Sequence, residues 1–129
     1  MKGKFRIVLA LVTGFVIFRA PLLAHHGNAA YDDKSPLTFK GTVTEFLWVN
    51  PHVQLFVDVK NEQGEIVHWG CETVSPSKLF RSGWTRDVLK AGDQVTITVF
   101  PAKSHAPVGL IRKVQLANGK ELGTEEQAQ

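Results

Sequence analysis

One cysteine, Cys71, stands in a chain of 129 residues, and a lone thiol excludes an internal disulfide. Internal repeats and low-complexity tracts are absent as well, which argues against a solenoid or array. No nucleophile sits within a recognisable catalytic motif. Long apolar runs are also missing: the longest, Ile7 to Phe18, has about a dozen residues where a bilayer span wants about 20.

That run is nevertheless informative, because it follows Met1-Lys2-Gly3-Lys4-Phe5-Arg6 and closes on Ala20-Pro21-Leu22-Leu23-Ala24. A basic start, a short apolar stretch and a small final residue describe a secretory signal peptide over 1–24, cut after Ala24. An uncleaved anchor is the alternative, and a rival cut after Ala29 would remove both His25 and His26. Cleavage after Ala24 takes away Lys2, Lys4, Arg6 and Arg19, turning a formal charge of +3 into −1, from 11 basic and 12 acidic side chains. The basicity is therefore a targeting feature, and a nucleic-acid partner gains no support from it. The expected location is the periplasm or the medium, with the membrane met only through the signal peptide during export. A mature domain of about 105 residues is large enough to fold on its own core.

The mature chain divides into an extended N-terminal segment (25–37), a β domain (38–123) and a loose polar tail (124–129). Thr38 to Trp48 is rich in β-branched and aromatic residues, as strands are. Residues 52–60 alternate, with Val53, Leu55, Val57 and Val59 on the core face and His52, Gln54, Phe56, Asp58 and Lys60 outside. A third run from Glu65 to Val74 places Val67, Trp69 and Cys71 on one parity. Matching core faces sets Val59 opposite Val67 and Val57 opposite Trp69, leaving Glu62-Gln63-Gly64 as a three-residue hairpin loop. Ser75-Pro76 opens a short helix and Gly83 stops it. Val95, Ile97 and Val99 form the core of a fourth strand ended by Pro101, a loop with His105 and Pro107 follows, and a last strand covers about Val108 to Ala117 before the Asn118-Gly119 turn. Three strands, a helix and two strands predict a small OB-like five-stranded barrel; a small β-sandwich from the same strands is the alternative.

All five histidines, His25, His26, His52, His68 and His105, survive a cut after Ala24. With His25 first, its α-amino group and imidazole can close a chelate on one metal, and a second histidine completes a T-shaped nitrogen site that suits copper(II). The arrangement resembles the histidine brace of exported copper proteins. The register selects the partner: His52 and His68 lie about six positions apart, on the order of 15–20 Å, so one ion cannot bind both. His52 is diagonal to Glu72, which makes that pair the candidate metal site. His68 faces Asp58 and reads as a surface hydrogen-bonded pair. His105 and His26 are further candidate donors, and Asn50-Pro51 restrains the backbone ahead of His52.

The plainer interpretations stand beside these. Scattered histidines in a small domain are commonly polar side chains that simply face solvent, and Cys71, on the core parity, reads as a buried apolar residue. Trp69 belongs to the core. Trp48 and Trp84, near loop ends, are candidate ligand-binding residues of the stacking kind that barrels use for sugars or oligonucleotides.

The segments Ala24-His25-His26-Gly27, Trp48-Val49-Asn50-Pro51-His52, Ser75-Pro76, Gly83-Trp84-Thr85 and Gly92-Asp93-Gln94-Val95 resemble a family of small exported bacterial proteins of unknown function. The resemblance implies export and a small β-barrel, and brings no activity, cofactor or site residue. The first functional expectation is thus an exported binding module that holds copper or another transition metal, partnered with an exported enzyme or a metal-handling protein. The second is a metal-independent small-ligand or oligosaccharide binder, or accessory domain, built on exposed tryptophans. Catalysis would need an open copper position acting on oxygen and ranks last.

Overall fold

The computed structural model describes residues 28–124; the segment read as a signal peptide, His25, His26 and residues 125–129 lie outside the described residues. After a 3-10 turn at Asn28–Ala30 come β1 (Leu37–Leu47), β2 (Gln54–Lys60), β3 (Ile66–Glu72), α1 (Pro76–Arg81), β4 (Gln94–Pro101), β5 (Val108–Leu116) and β6 (Glu121–Gly123). The first half of β1 pairs with β4 and the second half with β2, with a register shift between Val43 and Glu45. Antiparallel β2–β3 and β4–β5 ladders extend the sheet in both directions. The parallel pairing of Gly70, Cys71 and Glu72 with Val108, Gly109 and Leu110 then joins its ends. The result is a closed, mixed five-stranded barrel with its helix between β3 and β4, as the order of elements predicts. That β3–β5 seam also excludes the sandwich.

The hairpin register follows from two agreeing constraints. Val57 pairs with Trp69 and Val59 with Val67, so apolar side chains meet on the inner face. The loop between them is held by Asn61, whose Oδ1 accepts from the amides of Gln63 at 3.0 Å and Glu65 at 2.9 Å. Gly64 closes it at φ +83°, a left-handed conformation that glycine adopts without steric cost. A one-residue slip would turn Leu55 and Val57 out to solvent.

Inside the barrel Val43, Leu55, Val57, Val95, Ile97 and Val99 pack with Ile111, Val114 and Leu122. Leu79 and Trp84 also belong to this core, and the end of α1 explains how. Gly83, at φ +86°, donates to the carbonyl of Phe80 at 3.2 Å, and Trp84 donates to that of Leu79 at 3.0 Å. This is the paired bonding of a Schellman stop, which brings the residue after the glycine back onto the helix.

Trp84 is accordingly 0% exposed, which corrects its expected role on an exposed platform. Position near a loop end does not reveal that the chain reverses inward. Its indole Nε1 donates to the carbonyl of Gly123 at 2.7 Å, satisfying the one polar atom of the ring. That acceptor belongs to β6, a three-residue strand beyond the five expected, paired to β5 at Lys113, Val114 and Gln115. Trp84→Ala should cost about 3–5 kcal/mol of stability, read from urea unfolding.

Candidate functional site

The outward row that runs from His52, just ahead of β2, through Gln54 to Phe56 lies beside Gly70 and Glu72 of β3. Gln54 pairs with Glu72 and Phe56 with Gly70. The β3–β5 seam adds Val108 next to Gly70. A third wall comes from the segment ahead of β1. There Lys103 donates to the carbonyl of Ala30 at 3.0 Å, Asp32 to that of Pro101 at 2.8 Å, and Tyr31 bridges Ala102. These three walls enclose a cleft of about 770 Å³ lined by Tyr31, His52, Phe56, Glu72 and Val108, among others.

Its polar end has a definite geometry. The Tyr31 hydroxyl donates to Glu72 Oε1 at 2.6 Å, while His52 Nδ1 lies 3.8 Å from Glu72 Oε2. The second distance is too long for a hydrogen bond, so one carboxylate oxygen is engaged and the other faces the imidazole across a gap. Burial first, and then the bond to Glu72, push the Tyr31 hydroxyl well above its ordinary range, so it remains a donor at neutral pH. Cys71 also lines the cleft. Burial pushes its thiol up to about 12, and a thiol that keeps its proton is a poor nucleophile, in keeping with its expected structural role.

The cross-strand arithmetic places His52 diagonal to Glu72, and the two side chains stand 3.8 Å apart. It places His68 opposite Asp58, and the pair is joined by a bond of 2.5 Å from Nδ1 to Oδ1. His105 occupies an exposed loop at φ +63°, its amide bonded to the carbonyl of Ala102. Ala102 and Ser104 of that loop line the cleft and His105 does not. His25 and His26 fall outside the described residues. Among the described residues no three of His, Cys, Asp and Glu gather into a metal-binding group. The Asn50–Pro51 bond ahead of His52 is cis. Trp48 is half-buried, its ring centroid 6.0 Å from that of Phe46.

Tyr31 is the site residue that sequence reasoning missed. Its partner Glu72 is 41 positions away, and no local pattern connects them. The available signal was that it is the one tyrosine of the chain, placed between the histidine pair and the first strand.

A family model described as a family of unknown function, DUF6152, matches residues 15–113. No curated protein matches the chain. Among solved structures, the crystal structure of the ZRD-deleted mutant of TiaS in complex with agmatine aligns at 23% identity with a TM-score of 0.48, over 71% of this chain and 23% of that one. The chain thus spans about a quarter of that protein's length.

Proposed function

For a chain that belongs to the DUF6152 family of unknown function, so that no activity comes with membership, we propose an exported binding module that holds a transition metal, copper(II) foremost, at the His52–Glu72 corner. One observation carries this reading: His52 Nδ1 and Glu72 Oε2 stand 3.8 Å apart without a mutual hydrogen bond. Two donors at that separation can both reach one ion at the usual metal–ligand distances of about 2.0–2.2 Å. Tyr31 holds the other carboxylate oxygen, as partners of metal ligands commonly do.

Two protein donors leave the site incomplete, and the missing nitrogens are assigned to His25, with His26 as a further donor. The cleft wall is built by Ala30 and Tyr31, and three residues from Asn28 back to His25 span at most about 11 Å when extended. Signal-peptide removal after Ala24 would free the His25 amine as a ligand. His105, on the neighbouring loop, is a reserve donor. The role is metal delivery, or service to an exported enzyme or metal-handling protein, in the periplasm or medium.

The test is a native mass spectrum of the protein exported by its own leader, before and after one equivalent of copper(II) and a competing chelator. A form beginning at His25 that retains one copper is the expected result. A form beginning at Ala30, or one beginning at His25 that holds none, overturns the reading.

Metal-independent ligand binding also has an observation in its favour, which moves it from the tryptophans to the cleft: the volume there far exceeds that of an ion.

A further inference from the structure

One end of the cleft is polar. At that end the Glu72 carboxylate faces the Tyr31 hydroxyl and His52, and no lysine or arginine is among the described lining residues. At the other end Phe56 and Val108 flank Gly70, across the hairpin and across the parallel seam. A Cβ placed on Gly70 would stand 3.5 Å from Phe56 Cε1 and 3.8 Å from Val108 Cγ1. These are ordinary contact distances, so the backbone would tolerate a side chain here. Without one, a low apolar floor lies between the phenyl ring and the valine.

The cleft's volume of about 770 Å³ falls inside the range of roughly 300–1,000 Å³ usual for small-molecule sites, which combine an apolar lining with a few convergent polar groups. An apolar floor next to a carboxylate, with His52 beside it and no lysine or arginine among the described lining residues, selects by charge as well as by shape. A ligand carboxylate would meet Glu72 as a like charge, whereas an ammonium would gain a charge-assisted hydrogen bond. A flat ring is favoured on the floor because aromatic pairs gain beyond the area they bury.

We propose that the cleft binds a small aromatic amine, its ring on the Phe56–Gly70–Val108 floor and its ammonium at Glu72. This inference goes beyond the metal reading and does not rest on it. The two occupants share Glu72, so copper and amine compete.

The experiment is calorimetric titration of the exported chain, stripped of metal by a chelator, with 2-phenylethylamine and with 3-phenylpropionate. The amine is expected to bind at least tenfold more tightly than the acid. Gly70→Val, which fills the floor with a residue that suits a strand, and Glu72→Gln, which keeps an acceptor for Tyr31, should each weaken amine binding at least tenfold. Absence of saturable amine binding, equal binding of the acid, or an unchanged affinity in Gly70→Val overturns the proposal. Copper affinity in Gly70→Val separates the two readings: loss of amine with copper retained supports the floor as a distinct subsite. An extra residue before His25 that abolishes copper binding should leave amine affinity unchanged; a parallel loss of amine would also overturn the proposal.

Discussion

The β2–β3 hairpin carries two histidine–carboxylate pairs, one near each end, and the tighter of them is the less promising. His68 and Asp58 meet at 2.5 Å near the turn, with side chains 81% and 31% exposed. His52 and Glu72 stand 3.8 Å apart at the other end, with side chains 47% and 22% exposed. The first pair satisfies itself and has little left to offer a ligand. In the second, Tyr31 takes one carboxylate oxygen and the rest of the pair is held apart at the edge of a cleft. A short contact thus marks a finished interaction, and the gap marks the place where a third group can enter.

The largest contrast is in metal affinity: His52→Ala should weaken copper(II) binding at least tenfold, about 1.4 kcal/mol, and His68→Ala should change it less than about twofold. Equal effects of the two substitutions, measured against a competing chelator, would erase the distinction between the ends.

Alkali should weaken the cleft end selectively. The native thiol of Cys71 holds its proton from the ordinary 9.0 up to about 12, and the Tyr31 hydroxyl is likewise raised above its ordinary 10.0. An unfolded chain releases these protons first, so both groups contribute stability that is fully present below about pH 9 and is lost as pH rises toward the native values. Urea midpoints should be level in these two groups' contribution between pH 6 and 8 and fall above about pH 9. Cys71→Ala should flatten part of the fall, and an unchanged slope would remove the thiol from the account.

Tyr31→Phe is expected to cost about 1 kcal/mol, the typical net worth of a hydrogen bond, or somewhat more because its acceptor is charged. Denaturant unfolding measures this, and a neutral result would show that the hydroxyl contributes nothing to docking the N-terminal segment. Smallest of all, Asp58→Asn should shift stability by no more than about 0.5 kcal/mol, since exposed ion pairs contribute little. A loss of 2 kcal/mol there would show that exposure misjudges the pair near the turn.

What could be read from the amino-acid order also differs between regions. The hairpin was legible because side-chain alternation and loop length constrain it independently, and through that register His52 could be joined to Glu72. Tyr31 was not legible. Its place depends on backbone bonds to Pro101 and Lys103, about 70 residues downstream, which no local periodicity encodes. Trp84 failed for a related reason: the Schellman reversal is local and its glycine is visible, but the inward cavity and the Gly123 carbonyl are products of the closed barrel.

The docked segment ahead of β1 has a thermodynamic consequence. Ala30 and Tyr31 are at once a wall of the cleft and an arm of the chain held by a few hydrogen bonds. A ligand that touches that wall binds the docked arm better than the released one, and coupling of this kind is reciprocal. Filling the cleft therefore shields the arm from proteases and slows amide exchange at its anchoring backbone bonds. By the same factor, any change that loosens the arm lowers affinity for the occupant without altering a residue that the occupant touches.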